Sequence, residues 1–380
     1  VAGVDVDLFL PDDELKRLAR KAVDSGVAEA FSAGDVDATC EILKSSADGQ
    51  EWIASFQESA EPWFNFSTGS GFYHRDKIWI ENIEVPFEFI RSYIENLKDG
   101  KDLNRPVEAI RAERDRVVNE YIEFLETDED REAFQGKLGL ARTVFPYVEN
   151  HNFYVEHWAH SVIWRKMREL GAIMVDQGFW EKPDDIFYLK RVEVEEMLWD
   201  YFVSWATPEA PAGPGYWPPI IADRRRMCSA LANWKPVPAL GEPPEVITEP
   251  FTVMLWGITS DSVNSWLGGG EQVEGELRGM AASPGLVEGL ARVILSPEDI
   301  GQMQEGEILV APLTAPSWAP IFGRIQATVT DSGGMMSHAA IVCREYGLPA
   351  VTGTGFATAK IQTGQRIRVD GTNGVVTILD

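Results

Sequence analysis

Residues 333–350 read GGMMSHAAIVCREYGLPA, and no other stretch constrains the chain as strongly. Gly333 and Gly334 make a turn at which the backbone can approach a ligand closely. Ser337 is a good helix N-cap, and an apolar-periodic stretch follows it in Ala339, Ala340, Val342 and Cys343. Gly347 and Pro349 supply the stop. The run predicts a glycine turn that opens a short helix with His338 in its first turn. A helix N-terminus offers free N–H groups and the positive end of the dipole, so it stabilises phosphate. A histidine there is well placed to carry a phosphoryl group. A lone histidine can equally cap or pack, so the flanking sequence has to decide.

The flanking pattern covers roughly the last hundred residues: GMAASPGLVEG at 279–289, GEILV at 306–310, TAPSW at 314–318 and VDGTNG at 369–374. In this order and spacing the motifs resemble the phosphohistidine swivelling domain of phosphoenolpyruvate-utilising enzymes. The resemblance implies that His338 takes a phosphoryl group at one site and delivers it at another. It also implies hydrogen bonds to the phosphohistidine from Thr314 and Ser337, and backbone N–H groups from Gly333 and Gly334. Arg344 would touch the phosphate or its docking surface, with a solvent salt bridge as the plainer alternative.

Length and composition suit two or three domains. The chain has 380 residues, is 44% apolar and holds 13 tryptophans, enough for full cores. A net charge of −26 disfavours nucleic acid and anionic membrane as partners. From residue 277 onward there are seven Lys/Arg and nine Asp/Glu, so nearly all the excess negative charge lies earlier. A phosphate pocket in so acidic a body needs local arginines or backbone N–H groups. Cys40, Cys228 and Cys343 have neither disulfide nor metal spacing and fit a reducing cytoplasm. No run approaches the ~20 apolar residues of a membrane span. No signal peptide precedes the first helix. The chain opens at Val1 without a methionine, which leaves a fragment of a longer polypeptide open.

Along the chain, residues 1–60 read as helical, with Leu15, Leu18, Ala19 and Ala22 on one face. Residues 61–90 are aromatic, polar and broken by glycine, and read as a lining loop. Helices are expected at 86–98, 106–126, 145–176 and on to about 203. The prolines of 207–219 predict a loop, Arg224, Arg225 and Arg226 a new helix, and 235–250 a connection. Short strands are expected at 291–295, 308–310, 327–330, 350–352, 366–369 and 375–379. The expected architecture is multidomain, α plus α/β. A mostly helical acceptor-binding domain (1–267) leads through a hinge (268–278) to a compact β/β/α swivelling domain (279–380).

A full phosphoenolpyruvate synthase also needs an ATP-binding module and a barrel. The sequence shows no glycine-rich nucleotide loop with a partner lysine, and the swivelling domain is expected to end the chain at Asp380. With ENHNFY at 149–154 and KPDDIFYL at 182–189, the helical region before the swivelling domain resembles that of the phenylphosphate-synthase large subunit and rifampin phosphotransferase type. That resemblance implies ATP and Mg²⁺ on an ATP-grasp-type partner subunit or a preceding domain, with AMP and phosphate as by-products. The acceptor would be a small aromatic hydroxyl compound, most simply a phenol. A rifampin-type antibiotic acceptor and a non-catalytic phosphocarrier scaffold are the alternatives.

A phenol attacks well only once it loses its proton, so a base within reach is expected. His151 is the first choice, and an interhelical hydrogen-bonding role is the alternative. His74 and Arg75 form a second candidate pair. Phe64, Phe66, Phe72, Tyr73 and Trp158 are the candidate aromatic lining, and plain core is the alternative. His151, His157 and His160 lack a completing carboxylate, so no metal site is expected.

Overall fold

Leu15, Leu18, Ala19 and Ala22 form the buried stripe of helix α1 (Leu10–Asp24), whose first turn carries Pro11, Asp12 and Asp13. The computed structural model describes residues 3–67, 74, 77–232, 234, 241–242, 244–267 and 275–379. The chain forms two units, one of Val1–Trp158 with Gly241–Asp380 and one of Ala159–Leu240.

In the first unit α1 packs with α2 (Val36–Lys44), α3 (Ala47–Trp63) and α4 (Glu84–Lys98). Trp52 of α3 is fully buried, donates its indole N–H to the Leu18 carbonyl at 2.9 Å and meets Phe31 edge-on at 4.9 Å. Phe56, Phe64, Phe66, Trp79 and Phe87 extend the same aromatic core. Helices α5 (Val107–Phe124) and α6 (Asp128–His151) follow, and α6 passes into a π-helical stretch, Asn152–Ala159. The single long helix expected at 145–176 is thus interrupted. A π-helical turn holds one extra residue and shifts which side chains face inward.

After α10 (Pro250–Met254) and α11 (Ser260–Trp266) comes the eight-stranded sheet. Its strands are β1 (Glu276–Arg278), β2 (Met280–Ser283), β3 (Leu286–Val293), β4 (Ile308–Ala311), β5 (Ala327–Thr330), β6 (Ala350–Thr352), β7 (Arg366–Asp370) and β8 (Val375–Ile378). Their order is β1-β8-β7-β3-β4-β5-β6-β2. β3 to β6 run parallel in the middle, with antiparallel neighbours outside. All four residues of β4 are buried, as a central parallel strand requires. Its alternate side chains serve two cores. Ile308 and Val310 pack within the sheet's own cluster, while Leu309 and Ala311 join the core that contains the N-terminal helices. Five strands lie within a residue of where the sequence pattern put them, and β3 starts five residues before the expected 291–295 and ends at Val293. β1 and β2 are short and were not legible, and β1 occupies 276–278 of the expected hinge. Residues 268–274 lie outside the described residues.

The second unit is helical. It holds α7 (His160–Asp176), a 3₁₀ turn at Pro183–Tyr188, α8 (Arg191–Ala206) and α9 (Gly213–Ala232) around Met174, Phe179, Trp180, Met197 and Trp217. The loop expected at 207–219 is corrected here, because α9 starts at Gly213 and runs through Pro214, Pro218 and Pro219. The Asp200 carboxylate accepts N–H bonds from Ala212 and Gly213 at 3.0 and 2.8 Å and starts the helix. Pro214 sits in the first turn, where its missing N–H costs nothing. Arg224, Arg225 and Arg226 lie inside α9 rather than opening it, and Arg224 pairs with Glu193.

Candidate active site

Helix α12 (His338–Tyr346) follows β5 after the turn at 331–337 and stops at Gly347, which takes the left-handed conformation at φ 68°. Ser337 is its N-cap, with its hydroxyl accepting the Ala340 N–H at 3.4 Å. His338 thereby sits in the first helical turn. Its Nδ1 lies 2.9 Å from the Thr314 hydroxyl, and the edge of its ring meets Phe322 at 5.9 Å. Its Nε2 is buried and has no hydrogen-bond partner among the described residues.

The imidazole keeps some exposed surface as a residue, but its environment disfavours a proton. Burial and the nearby His157 push it down from 6.5 to about 3. The ring is therefore neutral at physiological pH, with a lone pair on one nitrogen. With Nδ1 beside the Thr314 hydroxyl, Nε2 is the nitrogen left without a hydrogen bond.

His157 comes from the π-helical stretch. It is 1% exposed, as is Phe153 four residues before it, and its ring lies 5.0 Å from that of Phe66. It is close enough to His338 that a proton on one opposes a proton on the other. Sequence reading saw His157 only as a member of a histidine triplet. The available signal was its fourfold spacing from Phe153 on an inward face.

His151, the expected base, ends α6 with its side chain 47% exposed and its Nδ1 3.9 Å from Glu156. The structure brings His157, not His151, to His338. His74 is half-buried, while Arg75, Phe72 and Tyr73 lie outside the described residues. Phe64 is fully buried between Phe56 and Trp79, at 5.0 and 6.2 Å, so it is a core residue. Trp158 packs at the edge of that core, 6.2 Å from Phe153 and 5.6 Å from Tyr154.

Two expected phosphate contacts are engaged elsewhere. Arg344 donates to the carbonyl oxygens of Met335 and Ala282, so it braces the turn instead of pairing in solvent. The N–H groups of Gly333 and Gly334 donate to the carbonyls of Trp256 and Leu255, at 3.1 and 2.9 Å. Among the described residues no three His, Cys, Asp or Glu side chains come together as a metal site. No described helix is long and apolar enough to cross a membrane.

The face of α12 beyond the histidine is held against the N-terminal helices. Glu345 accepts the Gly3 N–H at 3.0 Å and stands 3.9 Å from Arg105, and Lys101 pairs with Glu305 at 2.9 Å. Phe322, Ile325, Ala340 and Val342 continue the core that contains Leu18, Trp52 and Phe66.

Comparison with known proteins bears on this site. Residues 303–374 match the family described as PEP-utilising enzyme, mobile domain. The chain is 27% identical over 305 residues to an uncharacterized phosphotransferase, YvkC, of Bacillus subtilis, covering 80% of this chain and 34% of that protein. It is 33% identical over 205 residues to a rifampicin phosphotransferase of the same organism, covering 54% and 20%. It is 50% identical over 102 residues to a probable phosphoenolpyruvate synthase of Staphylothermus marinus, covering 26% of this chain. The chain spans about a third or less of the length of the curated relatives it matches.

Proposed function

We propose, on the match of residues 303–374 to the mobile domain of PEP-utilising enzymes, that His338 carries a phosphoryl group on Nε2 and passes it to a hydroxyl acceptor bound by the helical region. The observation that carries this reading is the asymmetry of the ring. Nδ1 is held by Thr314 and Nε2 is buried without a partner. Such a nitrogen is unsatisfied until something bonds to it.

The transfer itself needs little covalent help, so positioning and charge stabilisation dominate. The acceptor oxygen forms its bond to phosphorus as the Nε2–P bond breaks, and the electron pair returns to the imidazole. A proton on Nδ1, held toward Thr314, lets the ring leave neutral. The acceptor's own proton goes to His157, the buried imidazole in the helical region nearest His338 in charge terms.

We assign the loading step to a nucleotide-binding subunit or domain that uses ATP and Mg²⁺, and we place the reaction in the cytoplasm, in keeping with three unpaired thiols. The aromatic cluster that begins with Phe66 beside His157 and continues through Phe153 to Trp158 supports a phenol-type hydroxyl. A larger rifamycin-type acceptor is the second reading, supported by the rifampicin phosphotransferase among the relatives. In this reading residues 1–267 bind the acceptor and 279–380 swivel. The test is to phosphorylate the chain with phosphoramidate and offer phenols, a rifamycin and water in parallel. Formation of aryl phosphate faster than hydrolysis supports the phenol reading, and transfer only to the rifamycin replaces it with the second.

A further inference from the structure

Three backbone hydrogen bonds tie the segment just before the sheet to the turn that carries His338. Gly333 donates to the Trp256 carbonyl at 3.1 Å, Gly334 to Leu255 at 2.9 Å and Met336 to Met254 at 2.7 Å. The approach is closer than side chains allow. A Cβ on Gly334 would lie 2.3 Å from the Met254 oxygen, and one on Gly257 would lie 2.3 Å from the Gly333 oxygen. Both strands of this contact therefore require glycine. Gly355 repeats the arrangement, because a Cβ there would fall 2.2 Å from the indole nitrogen of Trp266.

The segment is also hydrogen-bonded within itself. Glu249 caps α10 by accepting the N–H groups of Phe251 and Thr252. Thr259 and Ser262 form a capping box on α11, and Ser262 donates to the Gly257 carbonyl at 3.2 Å. The Ile247 N–H donates to Ser260 at 2.9 Å. By contrast, Lys101–Glu305, between the N-terminal part of the chain and the sheet body, is a solvent-exposed pair. An exposed pair of that kind breaks at little cost, whereas releasing the segment strands the buried donors of Gly333 and Gly334.

We propose that residues 247–267 travel with His338 as part of the moving body, so that the pivot of the swivel lies upstream of Ile247 and not in 268–278. The inference rests on the reading of His338 as a moving carrier. It also means that the donors of the glycine turn stay bonded to the segment throughout the cycle, and that the phosphoryl group is held by other groups.

The test uses nitroxide spin labels on the full chain, with Cys40→Ser and Cys228→Ser leaving only the buried Cys343. One pair joins exposed positions 264 and 362, across the segment and the sheet body. The other joins 51 and 362, across the N-terminal helices and the sheet body. Glu345→Lys, which sets a cation against Arg105, unseats the body. We expect the 51–362 distance to lengthen and broaden while 264–362 stays single and narrow. Broadening of both pairs would put the pivot in 268–278 and overturn the inference while leaving the carrier reading intact. An unchanged 51–362 distance would show that the sheet body does not move, and both would fall.

Discussion

The Thr314 hydroxyl lies 2.9 Å from Nδ1 of His338, bringing together two residues from separate motifs 24 positions apart. In the proposed reaction this contact chooses which nitrogen reacts. Thr314→Val keeps the shape and removes the bond. We expect phosphoryl transfer through His338 to fall about tenfold, in line with one lost hydrogen bond of ~1 kcal/mol or somewhat more. Thr314→Ser should restore it. ³¹P NMR should show the Nε2 isomer in the wild type and a mixture in the valine variant.

The proposed role of His157 depends on the acceptor. If it takes the acceptor's proton, His157→Gln slows transfer to phenol by about 10²–10⁴-fold. It should slow transfer to 4-nitrophenol, a far more acidic phenol that is about half ionised at neutral pH, far less. Equal losses for both acceptors would reduce His157 to a packing residue of the Phe66 cluster.

His338 should make stability depend on pH in one direction. Burial and His157 hold its imidazole near 3, against 6.5 when free. Below about pH 6.5 the unfolded chain binds a proton that the folded site refuses. The site's contribution is complete above that pH and is lost as the pH falls toward 3. Urea midpoints of the wild type and His338→Gln should therefore shift against the wild type between pH 7 and pH 5. A gap that does not change with pH contradicts this account.

Glu149 should act in the opposite sense. Burial raises its carboxyl to about 7. Between 4.5 and 7 the folded protein keeps a proton that the unfolded chain releases, so stability falls as the pH rises through that window. Glu149→Gln should stabilise the protein at pH 8, on the order of 1–2 kcal/mol given its partial exposure, and change little at pH 4. Thermal or urea unfolding at the two pH values decides it.

The legible parts of this molecule are the ones encoded over short distances. The glycine turn, the Ser337 cap, the helix stop at Gly347 and six of the eight strands each depend on a few neighbouring residues. Relations across the chain were hidden. Nothing local in Met254, Leu255 and Trp256 says that their carbonyls meet a turn some 80 residues later. Phe64 read as pocket lining and is core, because composition does not tell a wall from an interior. The start of α9 among prolines depends on Asp200, in the preceding helix. His157 and His151 differ by six residues, and the π-helical stretch between them decides which one faces inward.

Phosphoryl exchange tests the central claim most directly. The chain alone is incubated with unlabelled phenyl phosphate and isotopically labelled phenol, and labelled phenyl phosphate is measured. We predict exchange that disappears in His338→Ala, with the variant still folded by circular dichroism. Exchange that survives in His338→Ala would contradict the account, because the phosphoryl group would then be travelling through some other residue.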